Sequence, residues 1–178
     1  MRRQDSTPAE QFSRDPLTGV FNRRHMIESL GRELQQATLR SYSIGFIMLD
    51  IDHFRRVNKA FGHAAGNLML PVVSDLLRSH ISPIDILCRF GGDEFFIILP
   101  ETTLEITDQR AKDLLESARH LQVNYEGQEL GPISFSAGVA AFPNHGESLA
   151  ALLNAADRAL FRAKREGRDR VVIAEMVP

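Results

Sequence analysis

Apolar residues recur along this chain with two spacings, and the switch from one to the other marks out its elements. Residues 43–49 are almost entirely apolar, the pattern of a strand covered on both faces, and the run stops abruptly at Asp50-Ile51-Asp52. Residues 84–90 and 94–99 make two more strands around Gly91-Gly92, a hairpin signal. Residues 133–142 read as another strand and 171–174 as a last short one. Helical spacing fills 22–36, 53–60 with a break at Gly62, 65–79, 103–120 with Thr103 and Glu105 near its start, and 148–165 with Gly167 as its C-cap. Pro71 falls inside the third of these, where it removes a backbone donor and predicts a kink or a late start. Asp15-Pro16-Leu17-Thr18-Gly19 reads as a turn, and residues 124–131 as a loop or short hairpin. This order predicts an α+β fold, a layered α/β domain whose central, mostly antiparallel sheet is flanked by helices.

Composition narrows the setting. With 178 residues, 43% hydrophobic and 25% charged, the chain suits one compact domain, expected over 14–176. The polar segment 1–13 lacks the apolar stretch of a secretory signal and reads as a linker or the tail of an upstream helix. A net charge of −2 gives no basis for wrapping nucleic acid or anchoring on an acidic membrane. No run approaches the ~20 apolar residues of a membrane span. Cys88 is alone, which excludes an intrachain disulfide framework and a cysteine-rich zinc site and fits a reducing, cytoplasmic setting. It is expected in the core, Phe46, Phe90, Phe95 and Phe96 in core or edge packing, and His53 at the surface.

Candidate chemistry sits where two apolar strands end in acids: Asp50 and Asp52 after the first, Asp93 and Glu94 at the hairpin tip. Gathering carboxylates at one edge is costly without a cation, and Mg²⁺ favours one or two carboxylates plus phosphate oxygens. The plainer alternative is solvated turn residues. In regular strand geometry the adjacent Asp93 and Glu94 face opposite sides, while Asp50 and Asp52 share a face unless the strand has already ended. Gly91 and Gly92 let backbone approach a phosphate closely, or simply make a tight hairpin. Lys164 and Arg168, four apart, share a helix face, as a phosphate-binding pair or as a solvated basic helix end.

Arg89-Phe90-Gly91-Gly92-Asp93-Glu94-Phe95 resembles the signature of GGDEF diguanylate cyclases. Four further segments stand in register with it. Asp15-Pro16-Leu17-Thr18-Gly19-Val20-Phe21-Asn22-Arg23-Arg24 is similar to the family's opening motif. Asp50-Ile51-Asp52-His53-Phe54, with Asn58 and Gly62-His63-Ala64-Ala65-Gly66, resembles its metal and nucleotide segment. Ser136-Ala137-Gly138-Val139-Ala140 resembles the strand after the hairpin, and Ala156 to Lys164 with Gly167-Arg168 the closing helix.

The resemblance implies a palm-like, ferredoxin-like nucleotidyl cyclase fold and a homodimer whose two chains each present one GTP. It implies Mg²⁺, or Mn²⁺ in its place, held by Asp50, Asp93 and the Ile51 carbonyl, and Asp93 as acceptor of the 3′-hydroxyl proton. Glu94 takes a supporting role, and Arg55 falls where a charge-stabilising lysine is common. Asn58, His63 and Phe54 belong to the nucleotide segment, Gly91 and Gly92 to the phosphate approach, and Lys164 and Arg168 to the triphosphate. A sensory or dimerising module would precede Ser13 if the chain is one module of a longer protein.

Three departures stand out. Asn67 replaces the family's usual aspartate, and an amide cannot accept both donors of a guanine edge, so guanine selectivity is in question. Lys59 stands where an aspartate is common; a solvent-facing position is the simplest reading. The inhibitory Arg-x-x-Asp motif reads Ser82-Pro83-Ile84-Asp85, which keeps Asp85 but loses the arginine and predicts weak product inhibition. The readings left open are an active homodimeric cyclase, a nucleotide- or partner-binding module without turnover, and a cyclase making mixed cyclic AMP-GMP.

Overall fold

The computed structural model describes residues 13–176, so the segment expected to be a linker lies outside them apart from Ser13. Six strands form one sheet in the order β1 (Phe21–Asn22), β3 (Ile86–Gly91), β4 (Glu94–Leu99), β2 (Ile44–Ile51), β7 (Phe135–Phe142), β8 (Arg170–Ile173). β2 lies between antiparallel neighbours β4 and β7, and β3 is antiparallel to β4. The flanking pairs β1–β3 and β7–β8 are parallel. A separate two-stranded hairpin, β5 (Asn124–Tyr125) with β6 (Gln128–Glu129), resolves the loop-or-hairpin alternative for that segment.

Side-chain alternation along β2 sorts the core into two layers. Ile47, Leu49 and Ile51 point to one face, beneath α3 (His63–Ser79) and α4 (Leu104–Arg119). Ile44, Phe46 and Met48 point to the other, beneath α1 (Arg23–Arg40) and α5 (Leu149–Arg165). The short α2 (Phe54–Phe61) links β2 to α3. Cys88, Phe46, Phe95 and Phe96 are buried as expected, Phe90 is half-buried against the same core, and His53 is exposed.

Local chemistry starts the helices. Asn22, Thr103 and Ser148 are N-caps, each side chain accepting the backbone N–H three residues on, at 3.0, 3.4 and 3.2 Å. α1 runs four residues past its expected end at 36, to a left-handed Ser41. The late start expected from Pro71 does not occur: α3 begins at His63 and carries the proline inside it. The carbonyl that forgoes a partner belongs to Asn67, an exposed residue, where water can replace the missing donor.

α5 lies directly on β7. A methyl group at Gly138 would meet the Ala156 carbonyl oxygen and the Leu160 nitrogen, so the absent side chain sets the helix-to-sheet distance. That close approach carries the basic end of α5 over the end of β2.

Candidate active site at the end of the central strand

Asp50 continues the Phe46–Met48 face of β2, which is the face α5 covers. The strand therefore ends with a carboxylate beneath the last turn of that helix. Lys164 Nζ lies 2.8 Å from Asp50 Oδ2, and Asp50 is only 8% exposed. Glu94 is the direct cross-strand neighbour of Asp50. The Ile51 N–H donates to the Asp93 carbonyl at 3.3 Å, docking the hairpin tip on the strand end.

These groups act on one another. Burial pushes the Asp50 carboxyl up to about 6; the Lys164 hydrogen bond and charge oppose the rise, and Asp93 and Glu94 add to it. Glu94 is also raised, first by burial and then by Asp93 and Asp157, against the pull of Lys164. Three carboxylates thus face one lysine. The hairpin itself is open: a Cβ on Gly91 or Gly92 would meet nothing within 4 Å, and Gly92 has φ 52°. The donor set fits a hard divalent ion that takes part of its shell from phosphate and water. Among the described residues no three His, Cys, Asp or Glu side chains converge to hold an ion unaided, so phosphate oxygens would have to complete the shell.

One expectation about which acids face the ion needs correction, and for Asp52 the alternative of a strand that has already ended is the one observed. Asp93 lies in the turn before β4 rather than in a strand, so strand alternation does not set it opposite Glu94, and both act on Asp50. β2 ends at Ile51, so Asp52 does not share the Asp50 face; its carboxylate is bound by Ser134 and Ser136 hydroxyls instead. Arg168 also departs from its expected place. α5 stops at Arg165, and Arg168 follows in a turn with φ 63°, so it does not share a helix face with Lys164.

The nucleotide segment forms its own cluster. Asn58 Oδ1 is buried without a hydrogen-bond partner among the described residues and sits against Gly66, where any side chain would strike it. The Phe54 ring lies beside the same glycine, at 3.0 Å from the position a Cβ would take. An orphaned buried acceptor of this kind is costly, and a ligand donor would relieve it. His63, Asn67 and Arg55 are exposed on α2 and α3 nearby in sequence, with Lys59 exposed as expected. A separate cavity of about 680 Å³ reaches Glu94 and Lys164 from the α5 side, along Asp157, Arg158 and Phe161. Its lining includes neither Asn58 nor Gly91, so it does not mark the base position.

Arg89 braces the hairpin, a role the sequence did not suggest. It donates to the Gly92 carbonyl at 2.9 and 2.7 Å and to Asp15 at 3.1 Å, tying the tip to the opening turn. Burial alone would raise the Asp15 carboxyl; hydrogen bonds from Thr18 and Arg89 overcome it and hold Asp15 low. At the inhibitory motif, Asp85 is committed inside the domain: Arg110 donates to it at 2.9 Å and the Ser82 N–H at 2.7 Å.

Fold and site together define a palm-like domain with an acidic strand-end site. The profile described as "Diguanylate cyclase, GGDEF domain" matches residues 12–170. The chain belongs to the GGDEF diguanylate cyclase family. It is 39% identical over 160 residues to diguanylate cyclase DgcP of Pseudomonas aeruginosa, a match covering 90% of this chain and 24% of that protein. It is 33% identical over 155 residues to the cyclic di-GMP phosphodiesterase NbdA of the same organism, covering 87% of this chain and 20% of the other. The GGDEF domain of DgcB from Caulobacter crescentus, solved in complex with c-di-GMP, superposes with a TM-score of 0.88 at 29% identity, covering 98% of this chain and 97% of that one. The chain thus spans about a quarter of the length of DgcP. Among the described residues no helix is long and apolar enough to cross a membrane.

Proposed function

We propose that this chain, over 14–176, is a cyclase domain that joins two GTP molecules into cyclic di-GMP across a homodimer. The observation that carries the reading is the meeting of Asp50, Asp93 and Glu94 with Lys164 beside an open Gly91-Gly92 hairpin. Each 3′-hydroxyl attacks the α-phosphorus of the opposite nucleotide. One P–O bond forms, the bond to the β-phosphate breaks, and pyrophosphate leaves, twice per product. Asp93 takes the hydroxyl proton, and Glu94 supports the site. Lys164 and Arg168 hold the triphosphate, and Arg55 offsets charge that develops at the phosphorus. Asp50, Asp93 and the Ile51 carbonyl would hold Mg²⁺, or Mn²⁺ in its place, which when bound offsets phosphate charge and acidifies the attacking hydroxyl.

Asn58, with its unpartnered oxygen, is the base contact, and Phe54, His63 and Asn67 complete the pocket. The substrate and the buried lone thiol suit a cytoplasmic setting. An upstream dimerising or sensory module would raise the rate, because each half-site needs the other.

Asn67 favours a second reading. Exposed and adjacent to Gly66, it offers one acceptor where a carboxylate offers two, so the base edge accepted can be altered or turnover lost. Incubation at high protein concentration with GTP, ATP, or both, in Mg²⁺, followed by chromatography, tests both readings. Cyclic di-GMP and pyrophosphate from GTP alone support the first. Mixed product, or tight GTP binding with no product, supports the second. Asn67→Asp should raise GTP use by about tenfold if the lost contact is the defect.

A further inference from the structure

Asp52 is the acid at the β2 end to which the proposed reaction assigns no role. Its carboxylate is buried and accepts three hydrogen bonds, from Ser136 Oγ at 2.7 Å, Ser134 Oγ at 2.8 Å and the Asp169 backbone N–H at 3.0 Å. Its own N–H donates to the Ser134 carbonyl at 2.9 Å. With three donors on two oxygens, little of this carboxylate remains for a metal ion.

The third donor belongs to the turn between α5 and β8. Arg168 and Asp169 both adopt left-handed backbone there, with φ 63° and 46°, a conformation that side-chain-bearing residues hold only when neighbours over-determine it. The neighbours are visible. The Arg168 N–H donates to the Ala163 carbonyl at 3.0 Å, Arg119 Nε reaches the Asp169 carboxylate at 3.1 Å, and Arg170 Nε donates to the Arg168 carbonyl at 3.1 Å. Like the Arg119–Asp169 ion pair the Asp52 bond is charge-assisted, but it holds the turn by its backbone and fastens it to the strand end that carries Asp50. The Arg168 side chain itself makes no hydrogen bond or ion pair among the described residues.

We propose that Asp52 is a positioning residue for the triphosphate: it clamps the α5–β8 turn and so fixes where the Arg168 guanidinium is presented. The inference rests on the phosphate role given above to Arg168. Without the clamp the strained turn relaxes into other conformations, and ligand must select the competent one, which lowers apparent affinity without removing any contact group.

The test is a titration of the full chain with GTP lacking its 3′-hydroxyl, so that no turnover occurs, and with GMP, in Mg²⁺, for wild type, Asp52→Asn, Arg168→Ala and the double variant. Asp52→Asn should weaken GTP about tenfold while GMP changes less than about twofold. In the Arg168→Ala background the same change should add less than about twofold to the GTP dissociation constant. Ser134→Ala, which removes one donor to the clamp, should reproduce the pattern on a smaller scale and serves if Asp52→Asn does not fold. Equal weakening of GTP and GMP, or full additivity with Arg168→Ala, would overturn the positioning role while leaving Arg168 at the phosphates. Unchanged GTP binding in Arg168→Ala would overturn the phosphate role of that residue and the inference with it.

Discussion

Asp50→Asn should stabilise the ligand-free chain while abolishing turnover. The Asp50 carboxyl rises from an ordinary value of 3.8 to about 6, chiefly through burial, with the Lys164 hydrogen bond opposing and Asp93 adding. A carboxyl raised in the folded state costs nothing below its unfolded pKa, where both states are protonated. The cost appears as pH rises through the interval and is complete above the folded value. At 1.36 kcal/mol per unit, the interval from 3.8 to about 6 corresponds to about 3 kcal/mol against the fold at pH 8. Because Asp50 is 8% exposed, solvent screening removes little of this. Asparagine keeps the shape, removes the charge, and frees Lys164, which is itself partly exposed and can turn to water.

Denaturant unfolding of both proteins at pH 5 and pH 8, without metal or nucleotide, measures the difference. The asparagine variant should gain about 1 to 3 kcal/mol at pH 8 and about half as much at pH 5, midway through the interval, where the unfolded chain has already lost the proton that the folded one keeps. Adding Mg²⁺ with GTP should close the gap by stabilising only the wild type. If the variant is instead less stable at pH 8 than wild type, and recovers at pH 5, the Lys164–Asp50 pair outweighs the cost of burial and the reasoning is wrong.

Three further outcomes rest on burial, hydrogen bonding and close packing elsewhere in the domain. The Cys88 thiol, pushed up to about 12 by burial, should react with a thiol reagent at pH 8 only as fast as the chain unfolds; rapid labelling of native protein would contradict it. Cyclic di-GMP should bind the Ser82–Asp85 region weakly, since Asp85 is already taken by Arg110 and the Ser82 N–H; a tight site lost in Asp85→Ala would refute this by calorimetry. Gly138→Ala should destabilise by about 1 to 3 kcal/mol in thermal or denaturant unfolding, because its methyl group meets α5 backbone that cannot yield without moving Lys164.

Much of this architecture is local information. The strands of β2, β4 and β7 announce themselves because a strand covered on both faces must be apolar throughout, and Asn22, Thr103 and Ser148 sit where caps belong. Pro71 misleads because proline disrupts a helix through one lost bond, and the rest of α3 buries enough apolar surface to hold. Errors at the site share a different cause. Face assignments for Asp93 and Arg168 each extended a strand or helix one to three residues too far, and that for Asp52 was left open on the same point, because element ends are where periodicity stops carrying information. The partners that decide Asp52 are Ser134, Ser136 and Asp169, separated from it by 82, 84 and 117 residues. No local pattern contains contacts of that range. Arg89 is similar: its position before Gly91-Gly92 is plain, but its hold on Asp15 spans 74 residues.

Charge at the strand end links the fold to the proposed chemistry. Lys164 is the cation that the Asp50 hydrogen bond already engages; Glu94 feels Lys164 and Arg23 only through their charge, and among the described residues neither the Asp93 nor the Glu94 carboxylate has an ion pair. A triphosphate entering this site would meet carboxylates first and would compete with Asp50 for the same ammonium group. Both conflicts would be relieved by a ligand that brings its own positive charge: the Asp50 carboxylate would then have a cation other than Lys164, and Lys164 would be free for phosphate. On that account nucleotide and metal bind as one thermodynamic event, each raising affinity for the other by the same factor. The Asp52 clamp matters for the same reason. With Lys164 shared between two demands, a second cation next along its face must come from the turn, because the helix ends at Arg165, before the position four residues beyond Lys164.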